Sequence, residues 1–131
     1  MSLFIVAAKD VDQAFEILSA KPRNAVKARL VEEPEEIGKF LYDLRAVFTN
    51  YEYFSRFDPY GDTYLETDQI PAIKVFSASV ATWLWTHGTE ENNVIQQYGV
   101  SFKKIGSFAM KLGRVCDTAM EHGYGLIGIG D

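Results

Sequence analysis

One cysteine, two histidines and four prolines are all that the 131 residues hold of those types, and each scarcity excludes something. A lone Cys116 cannot close a disulfide within the chain, so no disulfide framework supports the fold. The histidines, His87 and His122, lie far apart in sequence, and no His-x-x-x-His or His-Glu-x-x-His spacing points to a metal. Long apolar runs are also lacking. The first, Leu3–Ala8, stops at Lys9-Asp10 and has no basic residues before it, which is too short for a signal peptide or a membrane span. A cytoplasmic location is the expectation. Positive charge is scarce as well: 13 basic residues face 18 acidic ones, for a net charge of −5. Such a chain repels phosphate backbones and anionic lipid heads, so nucleic acid and membrane are not expected partners, whereas a basic protein is.

What is present is ordinary globular composition, 47% hydrophobic and 24% charged. A chain of this size buries enough surface to fold as one unit without metal or disulfides. No linker, repeat or low-complexity tract divides it, so residues 1–131 are read as a single domain. Residues 1–66 hold 12 of the acidic and 8 of the basic groups, so the negative charge lies mostly in the first half.

Leu3–Ala7 reads as a buried strand. Asp10 or Asp12 caps a following helix with Val11, Ala14, Phe15 and Leu18 on one face and Pro22 beyond its end. Val26, Ala28 and Leu30 alternate with Lys27 and Arg29, a half-buried strand. Pro34, among Glu33, Glu35 and Glu36, fits the first turn of a helix, where acidic groups favour the dipole. Ile37, Phe40, Leu41, Leu44, Val47, Phe48 and Tyr51 continue at steps of three and four, predicting one amphipathic helix. The segment around Tyr53–Phe57 and Thr63–Leu65 suits a β-hairpin about the turn 58–62. A helix capped by Thr67 or Asp68, with Pro71 in its first turn, closes at His87-Gly88. Thr89–Tyr98 is a loop or short helix. A last helix runs from a Ser101 cap to His122-Gly123, and the glycine-rich tail 124–131 pairs inside the sheet, beside the first strand. The fold class is α+β: a small sheet of the N- and C-terminal strands plus a hairpin, covered by three to four helices.

Candidate chemistry is sparse. Each histidine precedes a glycine at a helix end, where it meets terminal carbonyls. Cys116 lies on the apolar stripe near a helix C-terminus, where the dipole opposes a thiolate. Gly123-Tyr124-Gly125-Leu126-Ile127-Gly128 matches the dinucleotide-binding pattern in letters, but it follows a helix and opens none. Asp58, Asp62, Glu66 and Asp68 lack the alternating ligand spacing of a calcium loop. No cofactor, metal or catalytic residue is therefore assigned. Gly106, Ala109 and Gly113 form a small-residue stripe through which two copies can pair as a homodimer.

The feature with functional content is aromatic. Seven of the 18 aromatic residues fall between Phe48 and Tyr64. Tyr51, Tyr53, Phe54, Phe57, Tyr60 and Tyr64 have two readings: they fill the core and cross-strand positions of a hairpin, or, interleaved with Asp58 and Asp62, they form a surface suited to a basic protein, because tyrosine gives large contact area and carboxylates steer the partner. Trp85 joins them, since Trp83 and Trp85 cannot share one helix face. In size, charge and aromatic content the chain is similar to small acidic immunity or antitoxin proteins, a likeness that covers no diagnostic motif. It implies a non-enzymatic inhibitor of a basic partner. The alternative expectation is a small-molecule-binding protein or enzyme with a pocket between helices and sheet, and His87, tyrosines, Asp58 or Asp62 at its mouth.

Overall fold

The computed structural model describes residues 2–20, 26 and 28–130. Pro22 and Lys27 lie outside the described residues, as does Asp131. The element order is β1 (Leu3–Ala8), α1 (Val11–Ser19), β2 (Leu30–Glu33), α2 (Glu35–Asp43), a 3-10 turn (Arg45–Val47), α3 (Tyr51–Phe54), β3 (Asp62–Leu65), a second 3-10 turn (Thr67–Gln69), α4 (Ile70–Thr86), a third (Gly88–Glu90), α5 (Glu91–Tyr98), α6 (Phe102–His122) and β4 (Gly125–Gly130). The α+β class stands, with six α-helices among the described residues rather than three to four. One antiparallel sheet has the order β2-β1-β4-β3, so the terminal strands form its centre and β2 and β3 its edges.

Alternation along the strands divides the sheet between two cores. Leu3, Ile5, Ala7, Val31 and Leu126 face the large helical layer of α2 to α6. Val6, Ala8, Ile127 and Ile129 face the other way, onto Ala14 and Ile17 of α1. The helix α1 is narrow in contact: Asp10 caps it by accepting from the Gln13 amide at 2.8 Å, Val11 and Leu18 pack at the margin, and Phe15 is left exposed. Among the described residues the sheet and Val26 pack with α1, and its buried stripe is slimmer than the sequence spacing suggests.

The glycines of β4 are explained by what lies on them. A Cβ on Gly128 would meet the Phe57 ring at 2.6 Å, and one on Gly130 would meet the Pro59 carbonyl at 2.3 Å. The chain from Phe57 to Tyr60 therefore rests directly on the central strand, which only glycine permits. The α6 glycines have a similar reason. Gly113 faces Ser77 Oγ and Gly106 faces Leu84. The stripe with Ala109, 3% exposed, is thus occupied by α4 and is not free to pair with a second copy.

Four expectations are corrected. The second strand begins at Leu30 rather than Val26, and Arg29 is its lead-in, its carbonyl accepting from the Ala7 amide at 2.8 Å. The long helix ends at Asp43: Arg45 donates to the Tyr42 carbonyl at 2.8 Å, and Asn50 adopts φ 62°, the left-handed region that turns the chain. Val47 is exposed in consequence. No Tyr53–Phe57 hairpin forms. Tyr53 and Phe54 are helical, and β3 pairs with β4 instead. Thr67 does not cap α4 but donates to the Tyr124 carbonyl at 2.9 Å, tying β3 to the end of α6. At the other helix ends Ser101 accepts from the Lys104 amide, and Gly123 takes φ 68°, as the sequence leads one to expect.

Candidate functional site

Aromatic residues are core-formers first, and most of the 48–64 segment behaves so. Phe54 stacks on Phe76, with ring centroids 4.6 Å apart. Phe48 lies edge-on to both Phe76 and Trp83. Phe54 and Phe57 are 4% and 3% exposed, which removes both from any partner-binding surface. Tyr51 and Tyr53 are half-buried against the same core. Asp58, Tyr60, Asp62 and Tyr64 remain exposed, as does Trp85, at 89%. Asp58 closes its own turn, accepting from the Tyr60 amide at 2.8 Å.

The same folding opens a cavity of about 480 Å³ between the start of β1, the end of β2, α2, α3 and the 55–60 loop. Tyr51, Phe54, Phe57 and Tyr60 are brought together on its walls, joined by Tyr42, Leu3 and Pro59. Ser2, Glu35, Lys39 and Ser55 also line it, and its buried polar feature is Glu33. This residue is the last of β2 and pairs with Leu3. Directly opposed residues of an antiparallel pair share a face, so Glu33 points with Leu3 into the helical layer. It is 9% exposed. Its Oε2 is the one buried side-chain oxygen or nitrogen without a hydrogen-bond partner among the described residues. Burial pushes its carboxyl up to about 7, because a low-dielectric site penalises the charged form. The Tyr51 hydroxyl is also raised, by burial first and then by the Glu33 charge, with Arg45 opposing.

Room for this carboxyl is made by a glycine. A Cβ on Gly38 would lie 2.9 Å from Glu33 Oε1. Gly38 sits inside α2, where glycine costs about 1 kcal/mol relative to alanine. The helix gives up that stability where the carboxyl needs the space. Sequence reading placed Glu33 among the acidic residues favourable at a helix N-terminus and gave no role to Gly38 or Tyr42. One local signal did exist. A residue before proline is biased to extended backbone, and extending the strand through Val31 to Glu33 puts both on the inner face.

The other candidates have structural roles. Nδ1 of His87 bonds the Trp83 carbonyl at 2.9 Å, and its ring stacks on Trp83 at 4.4 Å. His87 lines a separate, smaller concavity and does not reach Glu33. Nδ1 of His122 bonds the Thr118 carbonyl at 3.1 Å. Since a carbonyl only accepts, each Nδ1 carries the hydrogen. Cys116 is fully buried, its thiol pushed up to about 12 by burial, which makes it unreactive. No helix among the described residues is long and apolar enough to cross a membrane. Comparison with protein-family models, with characterised proteins and with solved structures yields no match.

Proposed function

We propose that this chain binds a small molecule in the cavity over Glu33. The observation that carries the reading is the buried, unpartnered Oε2 of Glu33 on an aromatic wall. Buried polar groups are nearly always hydrogen-bonded, and an exception asks for a reason. A mostly apolar cavity of a few hundred Å³ with a small number of polar groups, Glu33 the buried one among them, has the character of a ligand site. A strongly perturbed carboxyl inside it adds to that character. The test is a fragment screen by amide NMR. Binding fragments are expected to shift the amides of Glu33, Gly38, Tyr51 and Ser55. Fragments that bind only elsewhere refute the reading.

A second reading, docking of a basic protein as an immunity-type inhibitor would do, is favoured by the exposure of Tyr60, 70%, and Tyr64, 49%, beside Asp58 and Asp62. It loses Phe54 and Phe57 from its surface, so its contact area is smaller than the sequence suggests. Charge reversal of Asp62 with Lys, which leaves the turn closed by Asp58 in place, would weaken such docking and leave fragment binding in the cavity intact.

A further inference from the structure

The walls and the carboxyl together say what kind of molecule the cavity takes. We propose that its ligand is a small organic cation, a protonated amine or quaternary ammonium with an apolar body, held by Glu33 and the surrounding rings; this rests on the cavity being a ligand site. The unpaired Glu33 Oε2 has no donor among the described residues, and a cationic ligand would supply one together with a positive charge. Tyr51, Phe54, Phe57 and Tyr60 line it on the aromatic side, with Glu35 and Lys39 also on the lining. Aromatic faces attract cations through the ring quadrupole, and strongly so where water is excluded. The pattern already occurs nearby within the chain: the Arg45 guanidinium sits 4.1 Å from the Tyr42 ring centroid, and that of Arg56 sits 4.8 Å from Tyr53. Neutral ligands gain less here, and anions are repelled by Glu33.

The groups facing Glu33 bear on how binding depends on pH. Glu35, Lys39 and Tyr42 come from α2, Tyr51 from α3, and Tyr60 from the loop. Glu35 and Lys39 bring one acidic and one basic group to the lining, and the Tyr51 hydroxyl is raised above its ordinary value. Glu33 is the group whose protonation decides. A cation binds the carboxylate form, so binding below neutrality must displace the Glu33 proton to solvent. Affinity then rises about tenfold per pH unit up to neutrality and levels off above it.

The experiment is calorimetric and NMR titration of the intact chain with benzylammonium, benzyltrimethylammonium, benzyl alcohol and benzoate, which share one apolar body. Runs span about pH 5.5 to 8, a window bracketing the Glu33 titration. Both cations are expected to bind at least tenfold more tightly than benzyl alcohol at the upper end, with the rising pH profile and release of a proton below neutrality. Benzoate is expected not to bind. Glu33→Gln should weaken the cations about tenfold, flatten their profile and leave the alcohol unchanged. The wild-type profile decides independently of that variant's behaviour. Equal binding of alcohol and cations, or preference for benzoate, overturns the cation assignment while the ligand site stands. If no probe shifts the cavity amides, the ligand-site reading falls with it.

Discussion

Ionising Glu33 inside the fold should cost stability in a pH window that can be stated. Below its unfolded pKa of 4.5 the carboxyl is neutral in both states, and its burial carries no charge penalty. Between 4.5 and about 7 the unfolded chain releases the proton while the folded chain retains it. The folded state then binds more protons, so stability falls as pH rises. Above about 7 the loss is complete. At roughly 1.4 kcal/mol per pH unit, the whole effect is about 3 kcal/mol. Glu33→Gln keeps the shape and removes the titration. Its stability relative to wild type should be nearly level at the acid end and about 3 kcal/mol better at mildly alkaline pH, roughly 10 °C in Tm for a chain of this length. The assay is urea unfolding of both proteins across the range. Subtracting the two curves cancels every other carboxylate. A difference that stays flat from acid to alkaline pH would refute the reasoning, since it would mean that the Glu33 carboxyl is hydrated or paired in solution.

Gly38→Ala should gain nothing in the wild-type background, because the new Cβ presses on Glu33 Oε1; combined with Glu33→Ala it should gain up to about 1 kcal/mol of helix propensity, and a double-mutant cycle by chemical denaturation measures the coupling. Gly130→Ala should destabilise by about 1–3 kcal/mol, since its Cβ would fall 2.3 Å from the Pro59 carbonyl; Gly88→Ala, with nothing within 4 Å, should change stability by less than about 0.5 kcal/mol. Phe54→Ala should cost about 3–5 kcal/mol in the same denaturation assay, whereas Trp85→Ala, at an 89% exposed position, should stay within about 0.5 kcal/mol.

The frame of the fold was legible where local chemistry and tertiary packing agree. The strand at Leu3, the Ser101 cap, the Gly123 terminus and the pairing of the glycine-rich tail beside β1 all followed from residue type and spacing. The break after Asp43 was hidden. Leu44, Phe48 and Tyr51 keep helical spacing across it because each still reaches the same core, while the turn itself depends on Asn50, whose side chain donates to the Ala72 carbonyl at 3.3 Å. A contact 22 residues away leaves no trace in the local pattern. The site was half legible for the same reason. Its aromatic walls stood out as a cluster, but reading them as surface missed that Gly128 and Gly130 draw Phe57 and Pro59 down onto the sheet. Glu33 resembled its neighbours Glu32, Glu35 and Glu36 in every local respect. Only the Leu3 register sends it inward.

An edge strand offers a competing reason for Glu33, since inward-pointing charges protect edges from pairing with other chains. That role requires the group to be charged when the edge is at risk. Burial holds the Glu33 carboxyl neutral over much of the pH range below about 7, so it serves poorly as a guard. Glu32 is exposed on the same short strand, with Glu35 and Glu36 exposed just beyond it, and these supply edge charge without any desolvation cost. Edge protection also gives no reason for the aromatic side chains that line the cavity beside the carboxyl. A ligand accounts for them. It offers Glu33 Oε2 the partner that the described residues do not supply, and it uses the aromatic faces as contacts, while Gly38 makes room for the inward carboxyl under either explanation. The two explanations separate by experiment: an edge guard leaves Glu33→Gln more prone to self-association and the wild-type chain itself indifferent to benzylammonium, whereas a ligand carboxylate leaves the variant monodisperse and about tenfold weaker than wild type for the cation.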